Sequence, residues 1–219
     1  MKKPPEERTQ SSTDSALTPE TDLLYQTLES EMSGVRVYAT ALGCVQDEQL
    51  RAEWEKHLKQ TSAHVEIVRK LLADRGLDPH RESVGRQIVR HIGNALVDAM
   101  QMALRSRANG AAEIVAAECV LVAETKDHAN WSLIGQLFGN RFAERDALGA
   151  AYERVEPEEE EHLARARVWA RELWLAAIGR HDGRGRTGAR GDGSSSADRN
   201  EPRVDGSHAR GGTRKWPEA

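Results

Sequence analysis

Apolar positions recur every three or four residues from Thr18 to about residue 179, and this spacing predicts helices rather than strands. Thr18 reads as an N-cap followed by Pro19, with Glu20 and Asp22 in the first turn. A first helix is therefore expected from there to about Gln46, with an inward stripe of Leu24, Leu28, Glu31, Val35, Tyr38 and Leu42. A second is expected after Asp47, closing at Gly76 with Pro79 beyond, on the stripe Trp54, Leu58, Thr61, Val65, Val68 and Leu72. A third, from Glu82 to Ser106, carries Val84, Ile88, Ile92, Leu96 and Met100. A fourth (about 110–138) and a fifth (about 142–178) are separated by Gly139-Asn140. No strand pattern of useful length and no exact long repeat interrupts them.

The pattern predicts an all-α protein. Short turns make helices one and two, and four and five, antiparallel hairpins, and residues 77–109 connect them. About 33 residues suffice to cross a bundle of helices roughly 30–40 Å long. The expected architecture is an up-down four-helix bundle with a long, partly helical crossover between its second and third helices.

Composition adjusts this picture at the ends. Residues 1–17 are polar, with Pro4-Pro5 and a Ser/Thr cluster, and read as disordered. Residues 180–219, which include GRGRTGARGDGSSS, lack the apolar surface to offset ordering entropy and read as a disordered tail. The bundle is thus expected over 18–179. The net charge is −4, but the tail has nine basic and six acidic residues, leaving −7 on residues 1–179. An acidic body argues against nucleic acid as the main partner. The tail stays open as an RNA contact, a docking peptide ending in Trp216-Pro217, or a solvated extension. Cys44 and Cys119 form neither a disulfide framework nor a zinc pattern and read as small buried residues. With no signal peptide and no apolar run of about 18 residues, a cytoplasmic protein with no membrane partner is expected.

The candidate chemistry is polar residues on inward stripes. The fifth helix reads Leu148, Tyr152, Val155, Glu159, His162, Ala166, Trp169, Leu173, so Glu159-x-x-His162 presents a carboxylate and an imidazole on one face. The fourth reads Ala117, Leu121, Glu124, His128, Trp131, and the first supplies Glu31. Counted from the hairpin turns, Glu31, Thr61, Glu124 and Glu159 fall at similar depth. Buried carboxylates cost several kcal/mol each unless paired or bound to metal. Several at one level call for a cation.

Here the chain resembles the ferritin-like superfamily, which includes bacterioferritins, rubrerythrins and small bacterial stress proteins. That family places one Glu on each of two helices and Glu-x-x-His on the other two, around two iron or manganese ions. The resemblance covers residues 18–179, and HLKQTSAHVEIVRKLLADRGLDP is similar to the second helix of the stress-protein branch. It implies Glu31, His64, Glu124, Glu159 and His162 as metal ligands, with Tyr38 as the tyrosine seven residues past the first ligand. It further implies one or two Fe or Mn ions per chain, with Fe(II) oxidation by O2 or peroxide or a stress-protective role; separately, a homodimer or small homo-oligomer is expected. Two departures bear on this. Thr61, preceded by Gln60, stands where the second helix should offer a glutamate. Pro157 precedes the fifth-helix motif, and a shift of one position there would turn Glu159 outward and Glu158 or Glu161 inward. Glu118 competes with Glu124, while His128 reads as a packing or outer-sphere histidine. The alternative reading is a non-enzymatic helical-bundle stress or scaffold protein that has lost the site.

Overall fold

The computed structural model describes residues 17–106, 110–138 and 147–187. Residues 1–16 and 188–219, most of the two segments read as disordered, lie outside the described residues, as does Gly139-Asn140. The described chain is all-helical: α1 (Pro19–Ala41), α2 (Glu48–Asp74), α3 (Val84–Ser106), α4 (Ala111–Phe138) and α5 (Ala147–Thr187).

Local chemistry sets the starts. The Thr18 side chain accepts from the Thr21 amide, with Pro19 following in the first turn. Asp47 caps α2 by accepting from Gln49 and Leu50 amides. Glu113 of α4 accepts from the Gln46 and Asp47 amides at 2.7 and 2.8 Å, tying the α1–α2 turn to a third helix. That turn starts earlier than expected, since α1 stops at Ala41 and not near Gln46. α2 closes on Gly76 at φ +67°, a conformation that favours glycine. α5 runs to Thr187, past residue 179, where the sequence places the end of the bundle.

Helices α1, α2, α5 and α4 touch in a ring, and α3 lies outside it against α1 and α4. Cross-helix contacts run in opposite directions along neighbours. Tyr38 meets His57 and Glu31 meets His64 across α1–α2, while Gly135 approaches Tyr152 and Glu118 meets Trp174 across α4–α5. The ring's members are therefore antiparallel to their neighbours.

The apolar interior is divided. One cluster holds Val37, Ala41, Leu50, Trp54, Val120 and Ala166; the other holds Leu28, Val68, Leu72, Trp131, Leu148 and Val155. Between them sits a layer of buried polar side chains.

The rotation of α3 differs from expectation. Val84, Ile88 and Ile92 are exposed, while Arg86, Val89, Gly93 and Met100 face inward. The cause is Glu29, fully buried on α1. It accepts from Arg86 Nε at 2.9 Å and from Arg90 at 2.8 and 3.1 Å. A buried carboxylate demands such partners, so α3 turns its arginines inward.

Candidate metal centre

The polar layer collects side chains from all four ring helices. Glu31 (α1), His64 (α2), Glu124 (α4), and Glu159 and His162 (α5) are each at most 1% exposed. The structure thus brings together all five residues singled out in the sequence. Pro157 does not disturb this, because α5 continues through it and Glu159 and His162 stay in phase with Val155 and Ala166. Glu161 points outward to Lys56, and Glu118 is exposed, bonding the Trp174 indole.

The geometry centres on Glu159. Its Oε1 lies 2.9 Å from His64 Nδ1 and 3.7 Å from His162 Nδ1. Glu31 Oε2 is 3.5 Å from His64 Nδ1, and Glu124 Oε2 is 3.5 Å from His162 Nδ1. Two groups result, Glu31–His64–Glu159 and Glu124–Glu159–His162, each with candidate ligand atoms within 4.8 Å of one another. They share Glu159.

Both imidazoles point the same way in chemical terms. Nδ1 faces the carboxylates, and Nε2 is held from outside. His64 Nε2 lies 2.8 Å from half-exposed Glu158, and His162 Nε2 lies 3.1 Å from the Gln60 side-chain carbonyl. A histidine that donates its outer N–H to a fixed acceptor offers the inner nitrogen as a ligand, the usual arrangement around metal ions. Glu31 is aimed in the same manner by the Trp131 indole, which donates to its Oε1 at 2.7 Å.

Each of these five residues keeps one buried atom without a hydrogen-bond partner: Glu31 Oε2, His64 Nδ1, Glu124 Oε2, Glu159 Oε2 and His162 Nδ1. Buried polar atoms are ordinarily satisfied, and unsatisfied ones gathered in two adjoining groups fit cations that bind oxygen and imidazole nitrogen.

Without a metal ion the layer balances part of its own charge, because His64 is protonated between Glu31 and Glu159, and an ion at its Nδ1 has to displace that proton. Burial raises the Glu159 carboxyl well above its ordinary range and nearby Glu31 adds to this, with His64 opposing. Burial alone would lower the His64 imidazole, but Glu159 and Glu31 outweigh it and hold it near 11. No lysine or arginine hydrogen-bonds or ion-pairs with Glu31, Glu124 or Glu159 among the described residues.

Three participants escaped the sequence analysis. Asp127 of α4 is 2% exposed and lies among Glu31, Glu124 and Glu159; burial and those charges raise its carboxyl, opposed by a hydrogen bond with Ser30. The expected stripe placed His128 inward instead. His128 in fact sits on the outer flank, 2.8 Å from Glu160. The missed signal was the three-residue step from Glu124, the same step that joins Glu159 to His162. Asp127 has room because Gly34 faces it: a Cβ on Gly34 would stand 3.4 Å from Asp127 Oδ2 and 3.1 Å from the Thr61 methyl. Thr61 is buried at this level, so α2 contributes no carboxylate there.

His57 is the second. It is buried with its ring stacked on His162 at 4.1 Å between centroids. Burial, with His162 beside it, lowers its imidazole to about 3, so it is neutral. Its Nδ1 lies 3.1 Å from the Tyr38 hydroxyl. Burial raises the Tyr38 phenol well above its ordinary value, and a hydrogen bond with Glu124 adds to the shift. Glu158 is the third, named in the sequence only as a residue that a shift would turn inward: it stays on the rim and holds His64 from outside.

Cys44 and Cys119 are buried and free, as expected. No helix among the described residues is long and apolar enough to cross a membrane. Comparisons with protein-family models, with curated proteins and with solved structures give no match to this chain.

Proposed function

We propose that the chain is a ferritin-like protein, with α1, α2, α4 and α5 as an up-down four-helix bundle and α3 in the crossover, that binds iron or manganese in the bundle core. The observation that carries this reading is the pair of adjoining groups in which buried carboxylate and imidazole atoms from four helices lie within 4.8 Å of one another. Two groups sharing Glu159 suit two ions with that carboxylate between them. When all are ionised, Glu31, Glu124, Asp127 and Glu159 carry four negative charges, which two divalent cations neutralise once bound carboxylates and His64 have released their protons and both histidines bind as neutral imidazoles.

The chain's own residues divide the work. Glu158 and Gln60 fix the two imidazoles, and Trp131 fixes Glu31. The Tyr38 hydroxyl lies between Glu124 and neutral His57, and its raised phenol keeps its proton there, so it serves as a fixed hydrogen-bonding group in the dry core. The apolar clusters on both sides exclude bulk water. Bound iron would supply oxidation of Fe(II) by O2 or peroxide, consistent with a stress-protective role. Exposed Val84, Ile88 and Ile92 on α3 support a homodimer or small homo-oligomer.

Metal content after anaerobic loading with Fe(II) or Mn(II) tests the reading. Between one and two ions per chain are expected, falling to background in Glu159→Ala. No metal above background in the parent protein retires it. Thr61, in place of a carboxylate, favours a second reading, a non-enzymatic stress or scaffold bundle, and that same blank result would select it.

A further inference from the structure

We propose that the cleft between α2 and α5 binds a small inorganic oxyanion of the phosphate type, beside the buried histidines. The cleft has a volume of about 490 Å3 and is lined by Lys56, Lys59, Gln60, Ala63, Arg154 and Glu158. It lies on the outer side of the same two side chains that hold the imidazoles: Glu158 on His64 and Gln60 on His162.

Its charge runs against that of the body. Residues 1–179 carry −7, yet three of the six lining residues are cations. Lys56 is neutralised by Glu161 at 2.7 Å, and Glu158 is engaged with His64. Lys59 and Arg154 are exposed, and no hydrogen bond or ion pair engages either among the described residues. Two uncommitted cations lining one cleft between helices repel one another, and an anion bound there offsets that cost.

The donors favour an oxyanion over a halide. Arg154 offers a planar fork suited to two oxygens, and Lys59 offers a mobile point charge. Gln60 spends its carbonyl on His162, which leaves the amide nitrogen of the same group as a donor for the cleft it lines. Glu158 is the opposing charge: held by His64, it disfavours a second anion and sets a preference for one small occupant.

This proposal does not depend on the metal reading and is tested on metal-free full-length protein. Titration with inorganic phosphate at low ionic strength, followed by calorimetry and by imidazole 15N resonances, should give one phosphate per chain with a shift at His162. Chloride at equal ionic strength should give neither. Lys59→Glu with Arg154→Glu should weaken phosphate binding by about tenfold or more. Lys70→Glu, a reversal on α2 away from the cleft, should leave binding within about twofold. Absence of phosphate binding, equal weakening by the Lys70 variant, or an unmoved His162 resonance would each overturn the proposal. Metal loading of the doubly reversed variant is a separate readout, so failure here leaves the metal reading standing, and the reverse.

Discussion

His64 is gripped from two sides: its Nε2 lies 2.8 Å from Glu158 at the protein's rim, and its Nδ1 lies 2.9 Å from Glu159 in the core. Adjacent residues of one helix thus serve one ring in different ways. Glu159 sits where a ligand belongs, and Glu158 orients the ring from outside.

Glu158→Ala should therefore leave the fold intact, since Glu158 is half-exposed, yet weaken metal binding by about 10–100-fold. Glu158→Gln, which retains an acceptor, should recover part of that loss. A competition titration against a chelator of known affinity reads both. An unchanged affinity in the alanine variant would mean that His64 is not oriented through Glu158.

Metal removal should expose the repulsion within the polar layer. An ion present at about 100 times its Kd adds roughly 2.7 kcal/mol of stability, so the melting temperature should rise with Mn(II) in the parent protein. His64→Ala should abolish that rise. Asp127→Asn should raise the stability of the metal-free protein by about 1–3 kcal/mol, because it removes one of four crowded carboxylates. Denaturant unfolding with and without metal measures both effects.

Trp131→Phe removes the donor to Glu31 Oε1 and puts a smaller ring in a fully buried position, which adds the cost of a cavity. Leaving that buried oxygen unpaired should cost about 1–3 kcal/mol in the metal-free state. It should also broaden the metal's coordination geometry, visible as wider lines in the Mn(II) EPR spectrum.

Acid should loosen the α1–α3 contact. Burial pushes the Glu29 carboxyl up, but hydrogen bonds from Arg90 and Arg86 outweigh it and leave it below the ordinary 4.5. Its contribution to stability is then complete above that ordinary value and disappears as pH falls through the lower folded one. Glu29→Gln should flatten this dependence and, by leaving Arg86 buried without its counter-charge, cost about 3–5 kcal/mol at neutral pH. Urea midpoints between pH 3 and 7 check the sign.

Much of the architecture follows from local rules. Thr18 with Pro19, Asp47 before α2, and Gly76 after it act on their own helix ends, so they mark boundaries in any context. Glu31, Glu124, Glu159 and His162 stood out because each falls among apolar positions at helical spacing, where an uncompensated polar group is costly, whereas His64 lies off the stripe read for its helix and was implied only by the ferritin-like resemblance.

Other features had no local mark. Whether residue 127 or 128 faces inward depends on a step of three against four, which an isolated helix tolerates equally. Gly34 and Thr61 settle it by leaving space for a short carboxylate. The rotation of α3 was set by Glu29 on another helix, and the roles of Gln60, His57 and Glu158 by rings reached across helix seams. The chain alone determined that it is helical, where most helices begin, and which acids and imidazoles are out of place on an apolar face. Only the tertiary structure decided which of those groups meet and which partners aim them. The reason is physical: helix periodicity is fixed by hydrogen bonds between near neighbours, whereas the pairing of buried charge is settled by side chains up to about 130 residues apart, as Glu31 and Glu159 are.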